Sequence, residues 1–432
     1  MRTAHNKPYI QKCIVSFSHD RCESRKQANA LSVAKASKEI AQGKKGISHL
    51  ILRAKDDEID QLKFLFLIHG IPIMCYALGN LLLSSLKEIV VVGSHEIKQA
   101  LDAFLETVDT QGKIIKFALE DPDNLSLTNT MLLGYEQLAP DPDEMILFQP
   151  GDVPFLYDFE NVIRDKDIAN YNLILWTNSR EKMFPKYKVD PGSEFVQRNY
   201  HYRSIYDDDG AGVVHEIKEP NIYPINLSAI ESDIIELLHS SRKDGKILKA
   251  GLIKAMSKPG RLFEIFPLMI NTVLFFDRRL KKLRPNDTYQ FGMQKNVFDR
   301  IASLLLNTPF TSKIHEDPAF VSDIDALEDW EDFESMTHYA WQKHGEEGLT
   351  LIHPFGSELL QFRDKAMPGL MKELPIYHDF PAYINAIYQT LEMDYVPYDL
   401  QGNYSLPEKR KANAERAYLW YSNKSEKIKI WR

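Results

Sequence analysis

Cysteine is scarce: the 432 residues hold three, Cys13, Cys22 and Cys75, and no C-x-x-C pair. Three thiols cannot all pair with one another, which excludes a disulfide scaffold and a thiolate zinc site and leads us to expect a reducing, cytoplasmic setting. An excess of positive charge is also missing. Lys plus Arg number 53 against 61 Asp plus Glu, a net charge of −8 that argues against a general binder of nucleic acid. No His or Cys spacing makes a zinc motif, and there is no internal repeat or low-complexity tract. The N-terminus, MRTAHNKPYIQKCIVSF, has only a brief apolar stretch and no small-residue cleavage site, so a secretory signal is not expected. An unbroken membrane-length run is absent as well. Phe64 to Leu83, FLFLIHGIPIMCYALGNLLL, is long enough to cross a bilayer, but His69, Gly70, Pro72, Gly79 and Asn80 interrupt it, and it reads as a strand, a turn and a buried helix. No membrane partner is expected.

What is present is an ordinary globular composition, 44% hydrophobic and 26% charged, at a length that suits two or three domains. Residues 1–46 are basic, end in the helix-forming run ANALSVAKASKEIAQGKKG and read as an extension. From Ser48 a βα alternation begins with the strand HLILRA, the helix PIMCYALGNLLLSSL and the strand EIVVVG. It continues through a helix at Glu96 to Val108, the strand KIIKFAL, a helix at Thr128 to Leu138 and the strand EMILFQP. This order implies an α/β fold, a doubly wound, mixed, mainly parallel sheet with helical N- and C-terminal additions. NLILWTN is a further strand, and NYHYRSIY and VVHEIKE form a hairpin around DDDGAG, which adds antiparallel strands. Residues 228–306 read as a helical insertion, TSKIHE as a short strand and DALEDWEDFESMTHYAWQKHG as an amphipathic helix. The expected organisation is an extension at 1–46, an α/β domain at 47–334 and an aromatic-rich C-terminal region at 335–432, which closes with a charged helix and a short alternating end.

In a doubly wound sheet ligands bind beyond the carboxyl ends of the strands, and two of these ends carry chemistry. The expected first strand ends in Arg53-Ala54-Lys55, with Lys63 beyond it; EMILFQP is followed by Gly151-Asp152-Val153-Pro154. An Asp fixed between Gly and Pro can present one carboxylate oxygen to Mg²⁺, an ion that needs few protein ligands because phosphate and water complete its shell. The bland reading is a turn Asp bonding its own backbone. Asp207-Asp208-Asp209 can be read as the D-x-D metal site of a nucleotide-sugar glycosyltransferase, but the Gly after it makes a solvated hairpin turn the better reading.

Taken in order, these pieces resemble the nucleotidyltransferases of the molybdenum-cofactor guanylyltransferase and sugar-nucleotide pyrophosphorylase fold. The resemblance runs from about Ser48 to Glu334: HLILRA, Lys63, HGIPIMCYALGNLL, EIVVVG, LSLTNTMLLG, GDVP, HEIKEPNIYPIN and SDIDALEDWEDF. It implies transfer of a nucleoside monophosphate from a nucleoside triphosphate to a small phosphorylated acceptor, with release of pyrophosphate. By that resemblance Asp152 holds Mg²⁺ with Asp323 or Asp325, Lys63 with Arg53 or Lys55 offsets charge on the triphosphate, and Arg53, Ala54, Lys55 and Asn129 lie on the nucleotide side. Lys218 and Asn221 face the acceptor, and a homo-oligomer is compatible with it. The family's first loop is Gly-rich, whereas Arg53 to Glu58, RAKDDE, has no glycine and three carboxylates. A catalytically inactive binding or scaffold protein on the same fold is therefore the alternative, with the glycosyltransferase behind it.

Overall fold

The structure is a computed structural model. It describes residues 9–18, 63–155 except 122, 124 and 125, 159–179, 204–207, 214–218, 221–230, 259–272, 291–315, 323–324, 327–390 and 394–429, with isolated positions at 274, 278, 282 and 319. Its strands, in chain order, are β1 (Lys12–Ser16), β2 (Leu67–Ile68), β3 (Ile71–Pro72), β4 (Glu88–Gly93), β5 (Ile114–Leu119), β6 (Ile146–Pro150), β7 (Leu173–Ser179), β8 (Ser204–Asp207), β9 (Val214–Lys218), β10 (Tyr223–Ile225), β11 (Phe291–Gln294) and β12 (Phe310–His315). Its helices are α1 (Ile73–Leu83), α2 (His95–Thr107), α3 (Leu127–Leu138), α4 (Phe159–Ile163), α5 (Pro259–Asn271), α6 (Lys295–Leu306), α7 (Leu327–His344), α8 (Glu346–Ile352), α9 (Gly356–Lys365), α10 (Met367–Glu373), α11 (Phe380–Thr390) and α12 (Glu408–Lys429).

The main sheet has the order β11-β8-β9-β7-β10-β6-β1-β4-β5, with β12 also paired to β7. Its centre is parallel, since β1 runs with both β4 and β6, and β4 with β5; β10 then joins β6 and β7 antiparallel. Successive β-branched residues explain why these strands are central. In EIVVVG, Val90 and Val92 face one core while Ile89 and Val91 face the other, so both sides of the strand are buried. Ile14 and Val15 on β1, and Phe148 and Leu147 on β6, divide between the same two cores. One core lies under α3 and α6; the other is larger and is shared by α1, α2 and the C-terminal helices.

The α/β class and the mainly parallel sheet are as the sequence implies, but the sheet starts elsewhere. Its first strand is KCIVS at 12–16, inside the segment read as an extension, and HLILRA lies outside the described residues. Ile14 and Val15 carry the signal; with only a brief apolar run around them, they are outweighed by the basic stretch that follows. Likewise 228–306 is not helical throughout: Phe291–Gln294 is a strand parallel to β8 at the sheet edge. The expected boundary at 334–335 falls inside α7, whose Phe333 and Met336 share the larger core with Leu359, Tyr388 and Tyr421, so the C-terminal helices complete a face of the sheet. Where the alternating end is expected, α12 continues to Lys429, and residues 430–432 lie outside the described residues. No described helix is long and apolar enough to cross a membrane, and the 64–83 window is the hairpin β2–β3 followed by α1.

Candidate functional site

β1, β4 and β5 step outward in one direction, and β6 then returns to the other flank of β1. Such a reversal marks where doubly wound sheets bind ligands, in a crevice beyond the carboxyl ends of the strands, here β1 and β6. Three chain segments meet there. Phe17 and Ser18 leave β1, Gly151 and Asp152 leave β6, and Lys63 arrives on a short helical turn at Lys63–Leu65.

Gly151 anchors the turn, as its N–H donates to the Ser16 carbonyl at 2.7 Å. A Cβ at Gly151 would stand 2.1 Å from the Phe17 ring, so only glycine lets the loop approach this closely. Phe17 meets Phe64 edge to face at 5.3 Å, which fixes the neighbouring Lys63. Lys63 Nζ then donates to Asp152 Oδ2 at 2.6 Å and to the Ile324 carbonyl at 3.1 Å. The Ile324 N–H in turn donates to the Asp152 carbonyl at 2.9 Å. Both charged side chains are nearly buried, at 9% and 13% exposure, where attraction is stronger than in water.

The turn that delivers Lys63 is held from behind. His69 and Gly70 both have positive φ, +50° and +75°, and close the β2–β3 hairpin. The His69 N–H donates to Glu334 Oε2 at 2.6 Å, and Trp330 Nε1 donates to the Leu67 carbonyl at 2.8 Å, so α7 clamps this hairpin. Burial raises the Glu334 carboxyl to about 8 despite that N–H, and burial lowers His69, beside Arg363 and His338, to about 3. Asn80 Nδ2 on α1 donates to the Pro154 carbonyl at 3.0 Å and steadies the other side of the Asp152 loop.

Of the residues singled out in the sequence, Lys63, Asp152 and the backbone beside Asp323 come together here. Asn129 lies in the first turn of α3, its N–H donating to the Ser126 side chain at 3.1 Å. Lys218 ends β9 opposite Asn178, and the half-buried Asn221 follows, its Nδ2 without a hydrogen-bond partner. Arg53, Ala54, Lys55, Asp325, Asp208 and Asp209 lie outside the described residues, and Asp207 ends β8. Because β1 is 12–16, the residues that directly follow the first strand are Phe17 and Ser18, not Arg53 to Lys55. Ser18 Oγ and both amide atoms of the fully buried Gln149 have no hydrogen-bond partner, polar groups that a sequence reading passed over. The pairing of Val15 with Gln149 marks both, but it is visible only once β1 is placed.

Among the described residues no three His, Cys, Asp or Glu side chains form a metal-holding group. The donor chemistry fits a hard cation that keeps its waters and takes one or two carboxylates, with Asp152 first and Asp323 one residue from its backbone contact.

No family model matches the chain, and no curated protein sequence matches it. Solved structures do resemble it. One is a hypothetical transferase from Thermus thermophilus, 13% identical with a TM-score of 0.36 over 74% of this chain and 99% of that one. Another is the 4-diphosphocytidyl-2C-methyl-D-erythritol synthase of Anaerococcus prevotii, 10% identical with a TM-score of 0.35 over 76% and 98%. A third is the inositol-1-phosphate CTP transferase of T. maritima, 11% identical with a TM-score of 0.30 over 51% and 72%. At such identities the residues of the site, rather than the likeness, decide the chemistry.

Proposed function

We propose that the chain is a nucleotidyltransferase acting at the β1–β6 crevice. The observation that carries this reading is the Lys63–Asp152 pair, a cation and a carboxylate locked side by side where a doubly wound sheet takes its ligand. An acceptor phosphate oxygen attacks the α-phosphorus of a nucleoside triphosphate. A new P–O bond forms, the bond to the bridging oxygen breaks, and pyrophosphate leaves with that electron pair. Such chemistry is mostly positioning and charge neutralisation. Lys63 donates to phosphate oxygens, and Asp152, with Asp323 or Asp325, would hold Mg²⁺. The ion would offset charge on the triphosphate. Asn129 stands on the nucleotide side, while Lys218 and Asn221 stand on the acceptor side. Arg53, Ala54 and Lys55 keep the phosphate-side roles that the resemblance gives them.

A second reading is favoured by the same pair. At 2.6 Å the lysine and the aspartate neutralise each other, and a chain that never binds a triphosphate would keep them so, as an inactive scaffold. Thermal melts with each of the four nucleoside triphosphates and with their monophosphates, with and without Mg²⁺, separate the two. The enzyme reading expects one triphosphate to raise Tm in a Mg²⁺-dependent way that Asp152→Asn abolishes. No better response to any triphosphate than to its monophosphate would leave only the fold.

A further inference from the structure

Helix α5 is apolar on two faces, and among the described residues one of them is covered. Ile265, Leu268 and Met269 pack against Met293, Val297 and Ile301 of β11 and α6. On the outer side Phe263 is 83% exposed, Phe266 57% and Ile270 37%; Leu274, helical in the turn beyond, is 42% exposed. Steps of three and four residues set these side chains in one stripe along the helix. Arg278 and Lys282, helical and exposed at their own positions, follow Leu274 in the sequence at four-residue spacing. The charge along this line is largely positive. Glu264 beside Phe263 is neutralised by Arg300 at 2.6 Å, and from Arg278 to Arg284 the sequence has five basic residues and no acidic one, after Asp277.

A helix that is apolar all round is normally buried, and an exposed row of two Phe, an Ile and a Leu needs a cover. We propose that this stripe docks on an anionic lipid surface, with Phe263, Phe266, Ile270 and Leu274 entering the headgroup boundary and Arg278 and Lys282 resting on lipid phosphates. Apolar residues flanked by Lys and Arg are the composition of helices that lie in a bilayer interface. The net charge of −8 removes whole-molecule attraction to an anionic membrane as the cause, so such a preference must come from a local basic segment, and substitutions at Arg278 and Lys282 tell this line from the basic residues 1–46. A second copy fits less well. Paired antiparallel, the stripe would set Arg278 and Lys282 against the other copy's Phe263 and Phe266; paired parallel, it would set cation against cation. Docking of this kind needs no membrane span.

The test is sedimentation of the full chain with vesicles of phosphatidylcholine alone and of phosphatidylcholine with one third phosphatidylglycerol. The expected result is partitioning at least about tenfold stronger to the anionic vesicles, weakened by salt, given two basic residues at roughly fivefold each. Phe263→Ser with Phe266→Ser should abolish it without lowering Tm, because both residues are exposed. Arg278→Glu with Lys282→Glu, which removes no packing, should bring anionic binding to the neutral level. Equal binding to both vesicle types, or wild-type binding by both variants, overturns the proposal. So does a concentration-dependent dimer that the Phe variant loses while no vesicle is bound, which would give the stripe to a second copy.

Discussion

Two buried ion pairs of this molecule invite opposite uses. In the C-terminal helices Arg410 on α12 bonds Glu331 at 2.5 Å and Asp332 at 2.9 Å on α7, and the Tyr395 hydroxyl donates to Glu331. The guanidinium is spent on two carboxylates that are 1% and 7% exposed, and the knot fastens α12 to α7. Lys63 and Asp152 are almost as buried, but here a single ammonium meets the carboxylate, between two loops, at the open end of the sheet. A fork with every arm engaged is a fastener. A point charge on a flexible stem, with a carboxylate and a carbonyl among its partners, can trade them for phosphate.

The largest expected effect tests the fastener. Arg410→Met should cost about 3–5 kcal/mol of stability, since it leaves two buried carboxylates without their cation. Urea denaturation at neutral pH measures it. Replacing Arg410, Glu331 and Asp332 together with apolar residues should restore much of the loss, because the desolvation penalty goes with the charges. If Lys63→Ala destabilises the chain as much as Arg410→Met does, the distinction between the two pairs fails.

Glu334 sharpens the comparison, because it sits three residues after Glu331 on the same helix and is raised to about 8, mainly by burial. A raised acid holds a proton in the folded state that the unfolded chain, at 4.5, gives up. Its contribution to stability is therefore complete below about pH 4.5, falls by roughly 1.4 kcal/mol per pH unit between 4.5 and 8, and is flat above. His69 and His353, each lowered to about 3 by burial, act in the opposite sense, adding stability as pH rises from 3 to 6.5. They cancel when variant is compared with wild type. Glu334→Gln keeps an acceptor for the His69 N–H and should match wild type near pH 4.5, then gain on it progressively up to pH 8. Urea melts across that range measure the difference, and a variant that loses stability as pH rises relative to wild type would mean that Glu334 is ionised and stabilising.

At the crevice the expected effect is on binding. Lys63→Ala should weaken triphosphate binding by about 1.5–3 kcal/mol, the range for a hydrogen bond to a charged group, and monophosphate binding by less. Titration at fixed Mg²⁺ and salt reads it, because screening is then the same for both proteins.

The parallel centre of the sheet was legible because EIVVVG and ILFQP are β-branched or apolar on both faces, and Asp152 was legible because Gly and Pro frame it. The start of the sheet was not. KCIVS carries two β-branched residues among polar neighbours, and its burial comes from β4 and β6, which lie 75 and more residues away in sequence. That single miss put the end of the first strand at Arg53–Lys55, whereas the residues that directly follow β1 are Phe17 and Ser18. The clamp of Glu334 and Trp330 on the His69 hairpin was equally hidden, since a carboxylate in an acidic run such as EDWEDFE reads as solvated until the fold buries it. GDVP was legible in place because it directly follows a buried strand.

The smallest expected effect isolates environment from contact. Lys98 and Asp102 on α2 form a lysine–aspartate pair at 2.5 Å, as short as the 2.6 Å of Lys63 and Asp152, but their side chains are 43% and 52% exposed. Water around them screens the attraction, and holding two long side chains together costs rotamer entropy, so an i,i+4 pair of this kind is worth about 0.3–0.5 kcal/mol. Asp102→Asn should lower stability by about that much, and by less as salt is added. Asp152→Asn removes the charge from a contact of nearly the same length and the same chemistry in a place that water scarcely reaches. Its stability cost should exceed that of Asp102→Asn and resist salt. Equal costs with equal salt dependence would mean that the crevice is as wet as the helix surface, and that the burial of Asp152 has no part in holding Lys63 for a phosphate.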